Sequence, residues 1–242
     1  KLEKVTLPGR VVAIGNSAFA GDASLKKVIW EDGNYDQEIG SNAFAKTALV
    51  EFTFPKRLKT MDYRAFFACK NLKSIQTNTM ITSIGESAFE GCIKLTGALE
   101  LPSTVTYINS NAFKNTGFSK ISIADGYDTL TIGYEAFGKC LNLLEVTLPG
   151  RTKTLSESVF KASANLEALH IENIQEGRTF KNLPSGYMEG YTFEGWLTSD
   201  GDAVTTTSEM VSKGVSTVYP QWIAETYDVY FYTNGGSISQ TS

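Results

Sequence analysis

The sequence predicts a repeat solenoid followed by a small β-rich module. Three observations carry that prediction. Phenylalanine recurs at Phe19, Phe44, Phe66, Phe89, Phe113, Phe137 and Phe160, in steps of 25, 22, 23, 24, 24 and 23 residues. Each is framed by apolar residues: Ile14, Ile39, Met61, Ile84, Ile108, Ile132 or Leu155 before it, and Leu25, Leu49, Leu72, Leu95, Phe118, Leu143 or Leu166 after it. Beyond Ile174 the period stops, and glycine, proline and aromatic residues take over. The domains are therefore 1–174, about seven repeats, and 175–242, a second module.

Within one repeat the elements follow in order. Six of the phenylalanines are preceded by alanine and the seventh by Val159. The Ala-Phe stretch, as in SAFEGC, is too short for a stable helix and is expected to form one helical or 3₁₀ turn. Ser or Asn just before it, as at Asn16-Ser17, suits the start of such a turn. Alternation then begins, as in Leu25, Val28, Trp30 or Leu143, Val146, Leu148. Period-two alternation over so few residues signals a half-buried strand, and Pro8, Pro55, Pro102 and Pro149 mark strand ends. A unit of 22 to 25 residues buries no apolar face alone. Stacking such units turns the phenylalanines into a continuous core.

The three cysteines belong to this register. Cys69, Cys92 and Cys140 each lie three residues after a phenylalanine, where the other copies hold Asp22, Thr47, Thr116 and Ser163. A position that accepts Cys, Ser, Thr and Asp asks for small volume, so buried unpaired thiols are expected. A Cys69–Cys92 bridge between neighbouring rungs is the sharper alternative. Their spacing matches no zinc pattern and His170 is the only histidine, so no metal constellation is indicated.

These units resemble the BspA-like leucine-rich repeats of bacterial surface proteins, whose pattern runs I-G-x-x-A-F-x-x-C-x-x-L-x-x-I-x-L-P. Residues 84–102 follow it from Ile84-Gly85 through Ala88-Phe89, Cys92 and Leu95 to Leu101-Pro102, with one insertion near Gly97-Ala98. The resemblance implies a right-handed leucine-rich-repeat β-solenoid with a sheet along one side.

The second module opens with turn chemistry at Gly177, Pro184, Gly186 and Gly190. GYTFEGW (190–196), VYPQW ending at Trp222, and VYFYTNGG before Ser237 follow in order. They resemble the Listeria–Bacteroides repeat, the internalin-B-type B repeat, and imply a β-grasp-like module. A full unit would open with its own V-x-F-x-x-N-G-G strand about 30 residues before GYTFEGW. The last solenoid rung occupies that place. The module is thus a partial repeat, with Tyr227–Thr233 expected to pair in its sheet. Tyr187, Tyr191, Phe193, Trp196, Tyr219 and Trp222 are expected to form its core, since so small a domain leans on large aromatics. The alternative is a carbohydrate platform.

Function is less legible. The chain has 242 residues, 42% hydrophobic and 20% charged, with net charge −4 and pI near 5.2. That balance argues against nucleic acid and polybasic membrane binding. No apolar run reaches the length of a membrane span. The first residues are not expected to be a signal peptide, and LEKVTLPGR reads as the interior of a repeat, so Lys1 is expected to be a boundary in a longer protein. The lone histidine lies on a regular strand with no serine elbow nearby, so no enzyme and no cofactor are expected. Asp32, Asp36 and Glu38 lack the spacing of a known calcium loop and read as a solvated insertion. The natural surface is the row of outward strand positions. One column runs Lys27, Glu51, Ser74, Ala98, Lys120, Glu145, Ala168, and the next Ile29, Thr53, Gln76, Glu100, Ser122, Thr147, His170. Lys27, Ile29, Glu51, Thr53, Gln76, Glu100, Lys120, Ser122, Glu145 and Thr147 are the candidate partner-binding residues, with His170 a solvated neighbour. The resemblance implies an extracellular, cell-surface adhesin, a monomer that binds host or extracellular-matrix proteins such as fibronectin or fibrinogen. The rivals are a stalk that projects other modules and a glycan-binding surface protein.

Overall fold

The computed structural model describes residues 2–156, 158–172, 183–185, 191–204 and 215–225. An opening strand β1 (Lys4–Leu7) precedes the first full repeat, β2 (Ala13–Ile14) and β3 (Lys27–Trp30). The next three repeats give β4 (Gln37–Ile39) and β5 (Glu51–Thr53), β6 (Leu58–Met61) and β7 (Ser74–Gln76), and β8 (Ser83–Ile84) and β9 (Thr96–Leu101). Then come β10 (Tyr107–Ile108) and β11 (Gly117–Ile123), β12 (Leu130–Ile132) and β13 (Glu145–Pro149), and β14 (Thr152–Leu155) and β15 (Ala168–Glu172). Two longer strands complete the set, β16 (Tyr191–Leu197) and β17 (Val215–Ala224).

The even-numbered strands β2 to β14 form one parallel sheet of seven, each stacked on the same strand of the next repeat. The opposite side is split. Strands β1, β3, β5 and β7 form a four-stranded sheet, while β9, β11, β13 and β15 lead into a six-stranded one. The break falls at the insertion seen in the sequence: β9, which contains Gly97 at φ +81°, does not pair with β7. Ile75 of β7 is consequently only partly buried, whereas its counterparts Phe52, Ile121 and Val146 are fully so.

The Ala-Phe segments contain no helix, which corrects the expected helical turn. Alternate residues hydrogen-bond in two directions. Ala18, Ala20 and Asp22 donate back to the carbonyls of Gly15, Ser17 and Phe19, while Ser17, Phe19 and Gly21 donate across to Ser41, Ala43 and Ala45 of the next rung. The pattern repeats along the solenoid and pairs the backbone N–H groups of the turn wherever another rung follows, as a buried segment requires. It needs a left-handed residue on each side of the phenylalanine, and most rungs supply one at both: Ser17 and Gly21, Asn42 and Lys46, Ser87 and Gly91, Asn111 and Asn115. Asn and Gly are residues that tolerate this conformation at low cost.

The rings stack along the axis. Phe66, Phe89 and Phe113 lie 5.1 and 5.3 Å apart, centroid to centroid, with planes within 7°. That spacing is close to the roughly 4.8 Å between neighbouring strands, so the ladder sets the stack. Phe44, Phe66, Phe89, Phe113 and Phe137 are fully buried. Phe19, on the first rung with a neighbour on one side only, is partly exposed.

Beside the rings runs the small-residue column. Cys69, Cys92 and Cys140 are buried and free, and their thiols point at the carbonyls of Phe44, Phe66 and Phe113 on the preceding rung. Ser163 donates to Phe137 in the same way, and Thr47 and Thr116 donate to the phenylalanine of their own rung. Six of the seven copies thus place a small donor here, while Asp22 on the first rung instead accepts from the Ser24 backbone N–H. Burial pushes the Cys92 and Cys140 thiols above their usual range, which keeps them protonated and able to donate.

The glycine of the I-G motif has an equally physical cause. A Cβ at Gly85 would sit 2.4 Å from the carbonyl carbon of Asp62 and 2.6 Å from the carbonyl oxygen of Met61. Both are backbone atoms of the previous rung and cannot turn aside. Gly85→Ala is expected to cost about 1–3 kcal/mol, the range of overpacked interiors. Chemical denaturation measures it. Gly15→Ala, where a Cβ meets nothing within 4 Å, is the control.

Candidate partner-binding face

The strands that carry the outward columns are held in register by backbone pairing. Lys27 lies opposite Glu51, and Glu51 opposite Ser74. Lys120 lies between Ala98 and Glu145, and Ser122 between Glu100 and Thr147. Lys27, Ile29, Glu51, Thr53, Gln76, Glu100 and Lys120 are exposed, while Ser122, Glu145 and Thr147 are half-exposed. The break between β7 and β9 divides them into two groups of five, joined across the gap by the Thr77 hydroxyl donating to the Glu100 carbonyl at 3.2 Å.

Much of the polarity on this face is spent internally. Lys27 pairs with Glu51 at 2.9 Å and Lys120 with Glu145 at 2.7 Å. The Thr53 hydroxyl donates to Gln76. The bond from Lys120 holds the Glu145 carboxyl below its usual range. Each such exposed pair contributes only about 0–1 kcal/mol, so the pairs set the charge pattern more than the stability.

Two positions depart from the alternation. Ala168 is buried and His170 half-buried, because the solenoid sheet does not end at β15. Strand β17 pairs antiparallel with β15, Leu169 opposite Val218 and His170 opposite Thr217, and β16 pairs antiparallel with β17. His170 Nδ1 lies 2.9 Å from the Thr217 hydroxyl, so it is bonded on the strand rather than freely solvated. The C-terminal module thereby prolongs the solenoid's own sheet and covers its last open edge, a common way to protect exposed strands. Local sequence gives no sign of this, since antiparallel addition depends on which edge is free.

The aromatic residues of the module divide. Trp196 is buried with its indole N–H on the Pro184 carbonyl, and Phe193 packs edge-on to both Trp196 and Trp222. Trp196 and Phe193 join the core, as expected, while Trp222 is half-buried at its margin. Tyr191 and Tyr219 are exposed, but their partners Ala224 and Leu197 place them on opposite faces of the ribbon. Tyr187 and the Tyr227–Thr233 strand lie outside the described residues.

The acidic loop is explained by the next rung. Asp32 pairs with Lys56, and Asp36 with both Arg57 and Lys59. The Lys56 backbone N–H and then its ammonium hold the Asp32 carboxyl below its usual range, and Lys59 and Arg57 do the same for Asp36. Among the described residues, no group of three or more His, Cys, Asp and Glu is placed to hold a metal ion, and no helix is long and apolar enough to cross a membrane.

A family model for the BspA type leucine rich repeat region matches residues 1–116 and 64–185. The chain belongs to that family. Among solved structures, the leucine rich repeat protein of T. pallidum is similar at 25% identity, with 72% of this chain and 71% of that one covered and a TM-score of 0.52. A leucine rich cell surface protein from Faecalibacterium prausnitzii shares 18% identity, over 71% of this chain and 60% of its own, with a TM-score of 0.34. A leucine-rich repeat protein from Bacteroides ovatus is 18% identical over 71% of this chain and 61% of its own, with a TM-score of 0.36. No curated protein matches the chain in sequence.

Proposed function

We propose that this chain is part of a non-enzymatic bacterial cell-surface protein that binds other proteins through the open sheet face of its solenoid. Host or extracellular-matrix proteins are the expected partners, and the protein acts as a monomer. The observation that carries the reading is the separation of tasks within each strand. One set of positions is sealed against the phenylalanine stack. The other, from Lys27 to Thr147, stands outward on rigid, hydrogen-bonded backbone. Repeat proteins bind partners on such extended faces. The family supports the cell-surface placement, and membership in it fixes no ligand.

The solenoid is 1–174 and the second module 175–242. We read the module as a partial Listeria–Bacteroides repeat of β-grasp type. The support is the antiparallel pairing of its GYTFEGW and VYPQW segments, with Phe193 against Trp222.

A stalk is the second reading, and one observation favours it. The charges on the open face close on each other in Lys27–Glu51 and Lys120–Glu145, so little net field remains to steer a partner. Immobilised fibronectin, fibrinogen and a panel of other matrix proteins, probed with the chain at physiological salt, separate the two. The adhesin reading expects saturable binding to at least one. Binding to none is the stalk's result.

A further inference from the structure

The turn edge carries a feature that the sheet face does not use. The residue two before the phenylalanine is Ser17, Asn42, Ser87, Asn111 or Ser158 in five of the seven rungs. Long charged side chains stand there only at Arg64 and Glu135. At Glu135 the protein supplies the counter-charge, with Lys114 and Lys161 both on its carboxylate. At Arg64 it supplies none: among the described residues the guanidinium has no ion pair, and its buried Nε has no hydrogen-bond partner. Instead the guanidinium carbon lies 4.8 Å from the Tyr63 ring centre and 4.5 Å from that of Phe67. No other rung has aromatic residues at both of these positions.

The rings fix the guanidinium plane without neutralising it. Phe67 continues into Ala68, which lines a cleft of about 400 Å³ floored by Ala23, Ala48 and Ala68. Lys46 and Lys70 stand on its rim, and neither has an ion pair among the described residues. Two unpaired lysines thus line a small cleft, and Arg64 stands on the turn that supplies Ala68 to it, in a chain of net charge −4. Asp62, Glu86 and Glu90 lie nearby in the sequence of these rungs, but none pairs with Arg64. Arg and Tyr on a preorganised surface are the residue types that dominate protein interfaces. A planar guanidinium takes a carboxylate through two parallel N–H bonds.

We propose that Tyr63, Arg64 and Phe67, with Lys46 and Lys70, form a docking site for an acidic segment of a partner protein. Arg64 grips one carboxylate, the lysines attract its neighbours, and the cleft receives a small apolar side chain between them. The site is separate from the sheet face, and its failure leaves the sheet-face reading intact.

The test titrates the full chain with a peptide alternating Glu and Ala, followed by calorimetry or fluorescence anisotropy at several salt concentrations. The same peptide with Gln for Glu is the neutral control. Saturable binding of the Glu peptide is expected, weakening steeply with salt. Arg64→Gln and Arg64→Lys should each weaken it about tenfold or more with the melting temperature held. Lys46→Gln with Lys70→Gln should flatten the salt dependence, and Lys153→Ala, at an exposed lysine of β14 outside both surfaces, should change nothing. Absence of saturable binding overturns the proposal, as does equal binding of the Gln peptide or indifference to Arg64→Gln. Preference for a sulfated oligosaccharide over the Glu peptide overturns the assignment to a protein segment.

Discussion

Replacing Phe89 with alanine is expected to cost about 3–5 kcal/mol, the range for a large aromatic removed from a core. Phe89 is fully buried and stacked on both sides, against Phe66 at 5.1 Å and Phe113 at 5.3 Å. Its loss removes apolar burial and two ring contacts, and it leaves a cavity that rigid rungs cannot close. Because each rung touches only its neighbours, the damage falls in the middle of the stack, where it uncouples two halves. Denaturant unfolding measures the loss, and a second transition would report the uncoupling. Lys120→Ala is the comparison. Lys120 is exposed and paired with Glu145, so its removal should cost about 0.5 kcal/mol or less. Equal costs at the two positions would mean that the inward and outward registers are exchanged.

The second large effect is expected on acidification. Glu135 has a side chain only 7% exposed, between Lys114 and Lys161. Burial alone would raise its pKa, but hydrogen bonds from Lys114, Tyr134 and Lys161 overcome burial and bring it down to about 2, from 4.5. Between those values the unfolded chain binds a proton that the folded chain does not. The charged carboxylate's contribution is therefore complete above about pH 4.5 and lost as the pH falls towards 2. Its size is at most about 3 kcal/mol. Stability measured from pH 6 to pH 2 should fall less steeply in Glu135→Gln than in the native protein. Parallel curves would show that the two lysines do not hold the carboxylate as described.

What was legible in the sequence was whatever repeats. Phe19 to Phe160, the apolar partners, the Cys69-type column and the strand alternation all recur at one period, and stacking places equivalent residues side by side. The insertion at Gly97-Ala98 was visible, but not its consequence: a register break is a relation between two rungs, and each alone looks regular. The turns carry no local mark against a helix, because Ser and Asn suit a helix start and a left-handed turn equally. Only the bonds to the next rung distinguish them. The docking of β17 was hidden for a related reason. Val218 and Thr217 show inward and outward preference, but nothing local names β15 as their neighbour. Arg64 is silent in the sequence because its meaning lies in the missing counter-charge, which appears only when the rungs are stacked.

The most direct test of the account exchanges one ion pair on the open face. Lys120→Glu combined with Glu145→Lys keeps the pairing across β11 and β13 and the net charge while inverting the local field. Its affinity for a matrix protein that binds the native chain, measured beside its melting temperature, decides the question. The account predicts a melting temperature nearly unchanged and an affinity reduced about tenfold, or about 1.4 kcal/mol. Unchanged affinity in a stably folded variant would contradict it and remove this stretch of the sheet face from the binding site.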